Sequence, residues 1–227
     1  MCAREKKEKK PKQAKKAKAP EPRDGFVNFT INGQPVLARE GWTVLETARQ
    51  YGIHIPTLCF HAALTPSGAC RLCVVEARQG EWSRVVVSCL YPVWEGVEIL
   101  TDSDRVQNVR RWILEMLLAD CPASKEIQEL AREYGVTSTR FTMENPEEEC
   151  LRCGLCVQVC EEVVGVKALS LASRGVTKHV ATPYAVPNNA CVGCGSCVSV
   201  CPTGGMGARL ERVRGDISQR IGYGRPH

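Results

Sequence analysis

The first regular pattern along the chain is an alternation of apolar and polar residues over positions 26–31, FVNFTI. Alternation with a period of two predicts a half-buried β-strand. Asn32-Gly33 follows, which is the dipeptide most typical of a two-residue hairpin turn, and Val36-Leu37 begins a second apolar run. We therefore expect a β-hairpin at the start of the folded region.

A helix and three further strands are predicted after the hairpin. Thr43 and Glu46 have the spacing of a capping box, so a helix is expected from there to about Tyr51, with Gly52 as the residue that ends it. The strand-like runs that follow are CVVEA at 73–77, RVVVS at 84–88 and VEIL at 97–100. A hairpin, a helix and more strands over about 75 residues predict a small α+β sheet domain.

Two helices are predicted in the next part of the chain. Ser103 is positioned to cap a helix that extends to about Ala119, and a shorter helix is expected from Ser124 to Tyr134, ending at Gly135. The first helix has apolar residues at helical spacing, which we interpret as core packing: Val106, Val109, Ile113, Met116 and Leu117. From position 150 to 202 the sequence changes to short, glycine-rich segments dense in cysteine.

The cysteine content is the most unusual feature of the composition, because the chain has fourteen cysteines among 227 residues. The basic N-terminal segment lacks the apolar stretch of a secretory signal, and there is no apolar run of about eighteen residues that would span a membrane. We therefore expect a cytoplasmic protein without a membrane span. Thiols that are kept reduced in the cytoplasm are most often metal ligands.

The basic charge of the chain is concentrated in residues 1–24, which contain ten basic and four acidic residues, whereas the whole chain has a net charge of +5. This segment is rich in Lys, Ala and Pro, so a disordered tail is expected. An arm that docks on an acidic partner is the alternative. Nucleic-acid binding is not expected, because the segment has no aromatic residue on which bases could stack.

The strongest chemical signal is a repeated motif of four cysteines, C-x2-C-x2-C-x3-C, which occurs at 150–160 and again at 191–201. This spacing holds two [4Fe–4S] clusters, with the fourth cysteine of each block binding the cluster of the other block. We expect that fourth cysteine to begin a helix. The predicted ligand sets are Cys150, Cys153, Cys156 and Cys201 for one cluster, and Cys191, Cys194, Cys197 and Cys160 for the other. Zinc sites more often pair two separated two-ligand knuckles.

A third group of cysteines lies within the predicted sheet domain: Cys59, Cys70, Cys73 and Cys89. Four thiolates with a central C-x2-C pair suit a [2Fe–2S] cluster, although plant-type ferredoxins have four residues where this chain has ten. The spacing alone leaves a zinc site as an alternative. The remaining Cys2 and Cys121 are expected to be free thiols, and His54 and His61 are expected to be ordinary packed or exposed histidines.

Two segments around these cysteines resemble a known family. GIHIPTLC at 52–59 and GACRLCVVE at 68–76 are similar to the N-terminal [2Fe–2S] segment of the complex I large iron–sulfur subunit. The same segment opens iron-only hydrogenases, some formate dehydrogenases and the diaphorase small subunit of NAD-linked nickel–iron hydrogenases. The stretch CLRCGLCVQVCEEVVGV at 150–166 is also similar. The resemblance implies one [2Fe–2S] and two [4Fe–4S] clusters.

The resemblance also implies an α+β fold with a β-grasp [2Fe–2S] ferredoxin-like domain, a short helical connector and a bacterial-type 2[4Fe–4S] ferredoxin domain. The predicted organisation is a tail at 1–24, the sheet domain at 25–101, the connector at 102–145, the dicluster domain at 146–209 and a second tail at 210–227. Relatives carry an additional cluster in the connector, held by one His and three Cys. Only Cys121 matches a ligand here, so we predict that this cluster is absent. The consequence is a gap in the electron path that partner subunits bridge, or a different route altogether.

The predicted function is electron transfer without a catalytic site, because no G-x-G-x-x-G or Walker-type loop is present for a nucleotide. The resemblance implies a flavin- and NAD(P)-binding diaphorase subunit and a catalytic subunit as partners, with a nickel–iron hydrogenase as the leading hypothesis and electron bifurcation as an option. A formate dehydrogenase or another flavin-containing oxidoreductase is the alternative. The x10 spacing and the eight cubane cysteines argue against a succinate or fumarate oxidoreductase subunit, and a zinc-stabilised adaptor is the rival from another class.

Overall fold

The computed structural model describes residues 25–182 and 190–207. Strands β1 (Phe26–Ile31) and β2 (Gln34–Arg39) pair in antiparallel fashion and are joined by the turn at Asn32 and Gly33, so the predicted hairpin is confirmed. Asn32 has a φ of 51°, the left-handed backbone that this type of hairpin turn requires. The predicted tails at 1–24 and 210–227, and Cys2 with them, lie outside the described residues.

The first domain is built on a five-stranded mixed sheet. Its other strands are β3 (Val74–Gln79), β4 (Trp82–Val87) and β5 (Glu98–Leu100), and the strand order is β2-β1-β5-β3-β4. Strand β5 runs parallel to β1 and antiparallel to β3, and β3 pairs in antiparallel fashion with β4. All three strands begin or end within two residues of the positions predicted from the sequence.

Helix α1 (Val44–Gln50) closes one apolar core against the sheet. It begins as predicted, because the Thr43 hydroxyl accepts from the Glu46 amide while the Glu46 carboxylate accepts from the Thr43 amide. The helix buries Val44 and Leu45 completely. They pack with apolar side chains of β1, β3 and β5, namely Phe29, Ile31, Val75, Ala77 and Ile99.

A second apolar core lies between the sheet domain and two helices, α2 (Asp104–Asp120) and α3 (Lys125–Glu133). Ser103 caps α2, as the sequence predicts, and Ser124, expected as the first residue of the next helix, caps α3. The predicted apolar face of α2 is partly wrong, because Met116 is 47% exposed whereas Arg110 is only 1% exposed.

The second domain consists of short elements around the cysteine blocks. Helix α4 (Leu155–Gln158) continues as a π-helical turn over Val159–Val163, the strands β6 (Ser170–Ala172) and β7 (His179–Ala181) form a two-stranded sheet, and α5 (Ser196–Ser199) follows. The expectation that the fourth cysteine begins a helix is wrong. Cys160 lies in the π-helical turn that extends α4, and Cys201 lies beyond the end of α5.

The two domains contact each other directly through the loop between α1 and β3. Leu64 of this loop is buried against Leu155 and Val159 of the second domain. The Thr65 backbone is held on both sides, since its amide donates to Glu162 Oε2 at 2.9 Å and its carbonyl accepts from Gln158 Nε2 at 2.8 Å. Among the described helices, none is both long enough and apolar enough to cross a membrane.

Candidate metal centres

The first group of cysteines converges because of the strand pairing in the sheet. Cys73 immediately precedes β3, and only Ser88 lies between the end of β4 and Cys89. Val74 and Val87 are opposite each other in this antiparallel pair. The two cysteines therefore lie at the same end of the sheet. Cys59 and Cys70 belong to the preceding loop, and all four cysteines are at most 5% exposed.

The four thiols of this group interact in pairs. The Cys70 amide donates to Cys59 Sγ at 3.3 Å. A hydrogen bond from the Cys70 thiol lowers the pKa of Cys59 to about 6 and raises the pKa of Cys70. A bond from the Cys89 thiol lowers the pKa of Cys73 to about 6 in the same way and raises that of Cys89. Two of these thiols therefore ionise readily, as thiolate ligands must.

Serine hydroxyl groups lie beside the same sulfur atoms. The hydroxyls of Ser67 and Ser88 contribute to the lowered pKa values of Cys59 and Cys73, respectively. Ser88 is fully buried, and its Oγ has no other hydrogen-bond partner among the described residues. Because a buried hydroxyl without a partner is costly, Ser88 Oγ is well suited to donate to a sulfur that carries negative charge.

The predicted ligand set of one [4Fe–4S] cluster lines a single cavity in the second domain. Its walls include Cys150, Cys153, Cys156 and Cys201, so three cysteines of the first block meet the fourth cysteine of the second block. The Arg152 amide donates to Cys150 Sγ at 3.4 Å. Burial raises the pKa of Cys153 to about 11 and that of Cys156 to about 12. Binding of a cationic metal centre would displace these protons.

The predicted ligand set of the other [4Fe–4S] cluster lines a second cavity: Cys160, Cys191, Cys194 and Cys197. The Ala168 amide donates to Cys160 Sγ at 3.2 Å. This cavity lies closer to the surface than the first, because Cys194 is exposed while Cys156 is buried. Met206, which is 5% exposed, lines both cavities.

The repeat in the sequence corresponds to a repeat in the backbone around the two cavities. Helix α4 begins directly after Gly154 and α5 directly after Gly195, and both glycines have left-handed φ values, of 88° and 77°. Each short helix carries the third cysteine of its block, Cys156 or Cys197. The two blocks therefore present their cysteines in the same local geometry.

The [2Fe–2S] candidate site and the first cubane candidate site are neighbours in the fold. Cys59 and Cys70 belong to the same apolar core as Leu151, and Cys153 packs against that core. A negative charge on Cys59 is close enough to contribute to the raised pKa of Cys153, although burial is the larger cause.

The other candidate residues have ordinary environments. Cys121 is fully buried, its Sγ donates to the Leu117 carbonyl at 3.1 Å, and burial raises its pKa to about 12. His54 and His61 are exposed, and His61 Nδ1 accepts from the Ala63 amide at 3.2 Å. Within residues 25–182 and 190–207, all cysteines are free thiols. Within the same ranges, no three His, Cys, Asp or Glu side chains converge as ligands of a single metal ion.

Sequence analysis missed one buried charge close to the first site, that of Arg110. Its guanidinium lies beneath β3 and donates to the Val74 carbonyl at 2.9 Å. The spacing did contain a signal, because Arg110 follows Val106 by four residues and precedes Ile113 by three, which places it on the inward face of the helix.

Comparison with known proteins identifies both domains. Residues 25–104 match the 2Fe-2S iron-sulfur cluster binding domain, and residues 145–207 match the 4Fe-4S dicluster domain. The chain is 31% identical over 179 residues to the NADH-ubiquinone oxidoreductase 75 kDa subunit of Reclinomonas americana, an alignment that covers 69% of this chain and 26% of that protein. It is 32% identical over 172 residues to the NADPH-Fe(3+) oxidoreductase subunit alpha of Geobacter sulfurreducens, covering 66% of this chain and 20% of that protein.

A solved structure is similar as well. One chain of the NAD+-reducing [NiFe]-hydrogenase in the H2-reduced state superimposes with a TM-score of 0.61 at 31% identity, covering 69% of this chain and 74% of that chain. The chain spans about a quarter or less of the curated relatives it matches.

The two matched domains define an iron–sulfur protein with a 2Fe–2S domain followed by a 4Fe–4S dicluster domain, as the resemblance predicted. The chain belongs to the family of iron–sulfur subunits that includes the 75 kDa subunit of NADH-ubiquinone oxidoreductase and the matching chain of the NAD+-reducing hydrogenase.

Proposed function

We propose that the chain is an electron-transfer subunit that holds one [2Fe–2S] and two [4Fe–4S] clusters. The proposed ligand sets are Cys59, Cys70, Cys73 and Cys89 for the [2Fe–2S] cluster; Cys150, Cys153, Cys156 and Cys201 for one [4Fe–4S] cluster; and Cys160, Cys191, Cys194 and Cys197 for the other. Such clusters accept and release single electrons without bond chemistry in the protein.

The observation that carries this proposal is the convergence of cysteines from separate segments at three places. Cys201 lies on the same cavity as Cys150, and Cys160 lies on the same cavity as Cys191, although about fifty residues separate the first pair along the chain and about thirty the second. Four thiolates per site are the usual ligands of both cluster types. Backbone amides that donate to Cys59, Cys150 and Cys160 would stabilise the negative charge on these sulfurs.

The arrangement of the ligand sets supports a continuous relay within this chain. Cys59 and Cys153 adjoin the same apolar core, and Met206 borders both cubane cavities, so each ligand set has a direct neighbour. A relay from the [2Fe–2S] site through the inner cubane site to the outer one does not require the cluster that the connector lacks. This route within the chain is the alternative to a gap that partner subunits bridge.

We further propose that the chain acts in a cytoplasmic NAD(P)-linked complex, between a flavin- and NAD(P)-binding diaphorase subunit and a catalytic subunit, with a nickel–iron hydrogenase as the leading candidate. The named relatives use NADH or NADPH, and the similar solved structure is an NAD+-reducing hydrogenase. A formate dehydrogenase is the second candidate. The complex purified anaerobically from its source should reduce NAD(P)+ with hydrogen; formate-dependent reduction without hydrogen-dependent reduction would favour the second candidate instead.

The cluster content is tested by metal analysis of the anaerobically purified chain. One binuclear and two cubane clusters require about ten iron and ten labile sulfide per chain, and the preparation should be brown. Zinc at about one ion per site and a colourless preparation would support the zinc-stabilised adaptor instead. Four or fewer iron atoms would reject the proposed set of clusters.

The exchange of the fourth ligand between the two blocks is tested by pairs of substitutions. Cys150→Ala and Cys201→Ala should each remove about four iron atoms, and the double variant should also lose only about four, because both residues serve one cluster. Cys191→Ala combined with Cys201→Ala should lose about eight. The reverse result, eight for the first pair and four for the second, would show that each block holds its own cluster.

A further inference from the structure

Helix α2 buries a positive charge within the fold of the first domain. Arg110 is 1% exposed, and its Nη2 donates to the Val74 carbonyl at 2.9 Å. Its Nη1 donates to Asp102 Oδ1 at 3.3 Å and lies 3.5 Å from the Tyr134 hydroxyl. Arginine is rarely buried to this extent unless it is paired, so this position requires an explanation.

The charge of Arg110 is only partly compensated. Its carboxylate partner among the described residues is Asp102, whose side chain is 62% exposed, so water screens the ion pair from that side. Arg110 Nε is buried without a hydrogen-bond partner among the described residues. A fully neutralised structural ion pair would not leave a buried donor unused, because an unsatisfied donor destabilises the fold.

The position of this charge connects it to the proposed [2Fe–2S] site. Val74, whose carbonyl accepts from Arg110, directly follows Cys73 and packs in the same apolar core as Cys59 and Cys70. Val106 and Leu114, four residues before and after Arg110 on α2, are fully buried in that core. The guanidinium therefore borders the apolar core that contains Cys59 and Cys70, in a region of low dielectric constant.

We propose that Arg110 is a positioning residue that raises the reduction potential of the [2Fe–2S] cluster. This inference rests on the proposed function. Reduction adds one electron, and therefore one negative charge, to a centre bound by four thiolates. The electron donor is a reduced flavin in the complex and dithionite in a titration. A buried cation nearby stabilises the added charge. A unit charge about 10 Å away at an effective dielectric constant of about 20 changes such an equilibrium roughly tenfold.

The test is a potentiometric titration of the holo chain, followed by the electron paramagnetic resonance signal of the reduced [2Fe–2S] cluster. Arg110→Met keeps the length of the side chain and removes its charge, and it should make reduction roughly tenfold less favourable, a downward shift of about 59 mV for a one-electron couple. Arg110→Lys keeps the charge and should stay close to the wild-type potential. Arg111→Met, an exposed position on the same helix, is the matched control and should leave the potential unchanged.

A second variant tests the same idea without altering the buried side chain. Asp102→Asn removes the exposed counter-charge and should shift the potential upward, by less than the Arg110→Met shift because water already screens Asp102. Two results would overturn the inference: an unchanged potential in Arg110→Met, or equal shifts in Arg110→Met and Arg110→Lys. If Arg110→Met does not assemble, an unchanged or lowered potential in Asp102→Asn would overturn it. Absence of the [2Fe–2S] signal from the wild-type chain would reject the proposed function itself.

Discussion

Gly68 allows the two segments that carry Cys70 and Cys89 to approach each other, and its replacement by alanine has a calculable cost. The residue has a φ of +62°, and a Cβ atom there would lie 2.5 Å from Leu90 Cδ1. Forcing a non-glycine residue into this backbone conformation costs about 1–2 kcal/mol. Displacing Leu90 from its rotamer adds about 0.5–1.5 kcal/mol.

These two costs can be separated with a double-mutant cycle. Leu90 is 46% exposed, so Leu90→Ala alone should destabilise the fold only slightly. Gly68→Ala alone should destabilise it by about 2–3 kcal/mol, but in the Leu90→Ala background only the backbone cost of about 1–2 kcal/mol should remain. The difference between the two backgrounds measures the steric contact itself.

The assay is the unfolding rate of the anaerobic holo chain in guanidinium chloride, followed by far-ultraviolet circular dichroism. If the strain at Gly68→Ala is already relieved in the transition state for unfolding, a destabilisation of about 2 kcal/mol accelerates unfolding about thirtyfold. Gly135→Ala, which is also at a positive φ but has no atom within 4 Å of the added Cβ, is the matched control and should show no coupling with Leu90→Ala. Equal effects of Gly68→Ala in both backgrounds would refute the proposed contact.

Three further changes have defined outcomes. Leu64→Ala should destabilise the chain by about 2 kcal/mol, the lower end of the range for a buried leucine, because the core around Leu64 is small. Limited proteolysis should then cut the chain between the domains. Unchanged protection from the protease would contradict the contact between the domains. Thr43→Ala should cost about 1 kcal/mol in thermal unfolding because it removes the cap of α1, with the exposed Thr65→Ala as a control that should cost less. The pKa of Cys121 is about 12 in the fold and 9.0 without burial, so the contribution of the protonated thiol to stability is complete below pH 9 and is lost as the pH rises from 9 towards 12. The free energy of unfolding of the wild type should therefore exceed that of Cys121→Ala by less and less in that window. A difference that does not depend on pH would refute this.

Local signals predicted the secondary structure of the first domain well. The Asn32-Gly33 turn and the Thr43 cap each determine the backbone through neighbouring atoms, so the sequence alone is sufficient. The apolar face of α2 was less predictable. An arginine can be buried only where a distant acceptor such as the Val74 carbonyl is available, and that acceptor is provided by the tertiary fold. The short strands β6 and β7 were also missed, because three-residue strands carry little periodicity.

The candidate sites were predictable to the extent that cysteine spacing defines them. The block motif indicated which cysteines belong together, and the cavities bring Cys150 to Cys201 and Cys160 to Cys191. The proximity of Cys59 to Cys153 could not be predicted, because it depends on how Leu151 packs into the core beside α2. The predicted gap in the relay depends on the same packing, because the predicted ligands Cys59 and Cys153 adjoin one core.

Mössbauer spectroscopy of the anaerobic, oxidised chain enriched in 57Fe tests the central claim most directly. If the twelve cysteines hold one binuclear and two cubane clusters, about one fifth of the iron should give the signal of a [2Fe–2S] cluster and about four fifths that of [4Fe–4S] clusters. A single type of iron at all sites, or a chain that contains zinc without iron, would contradict the account.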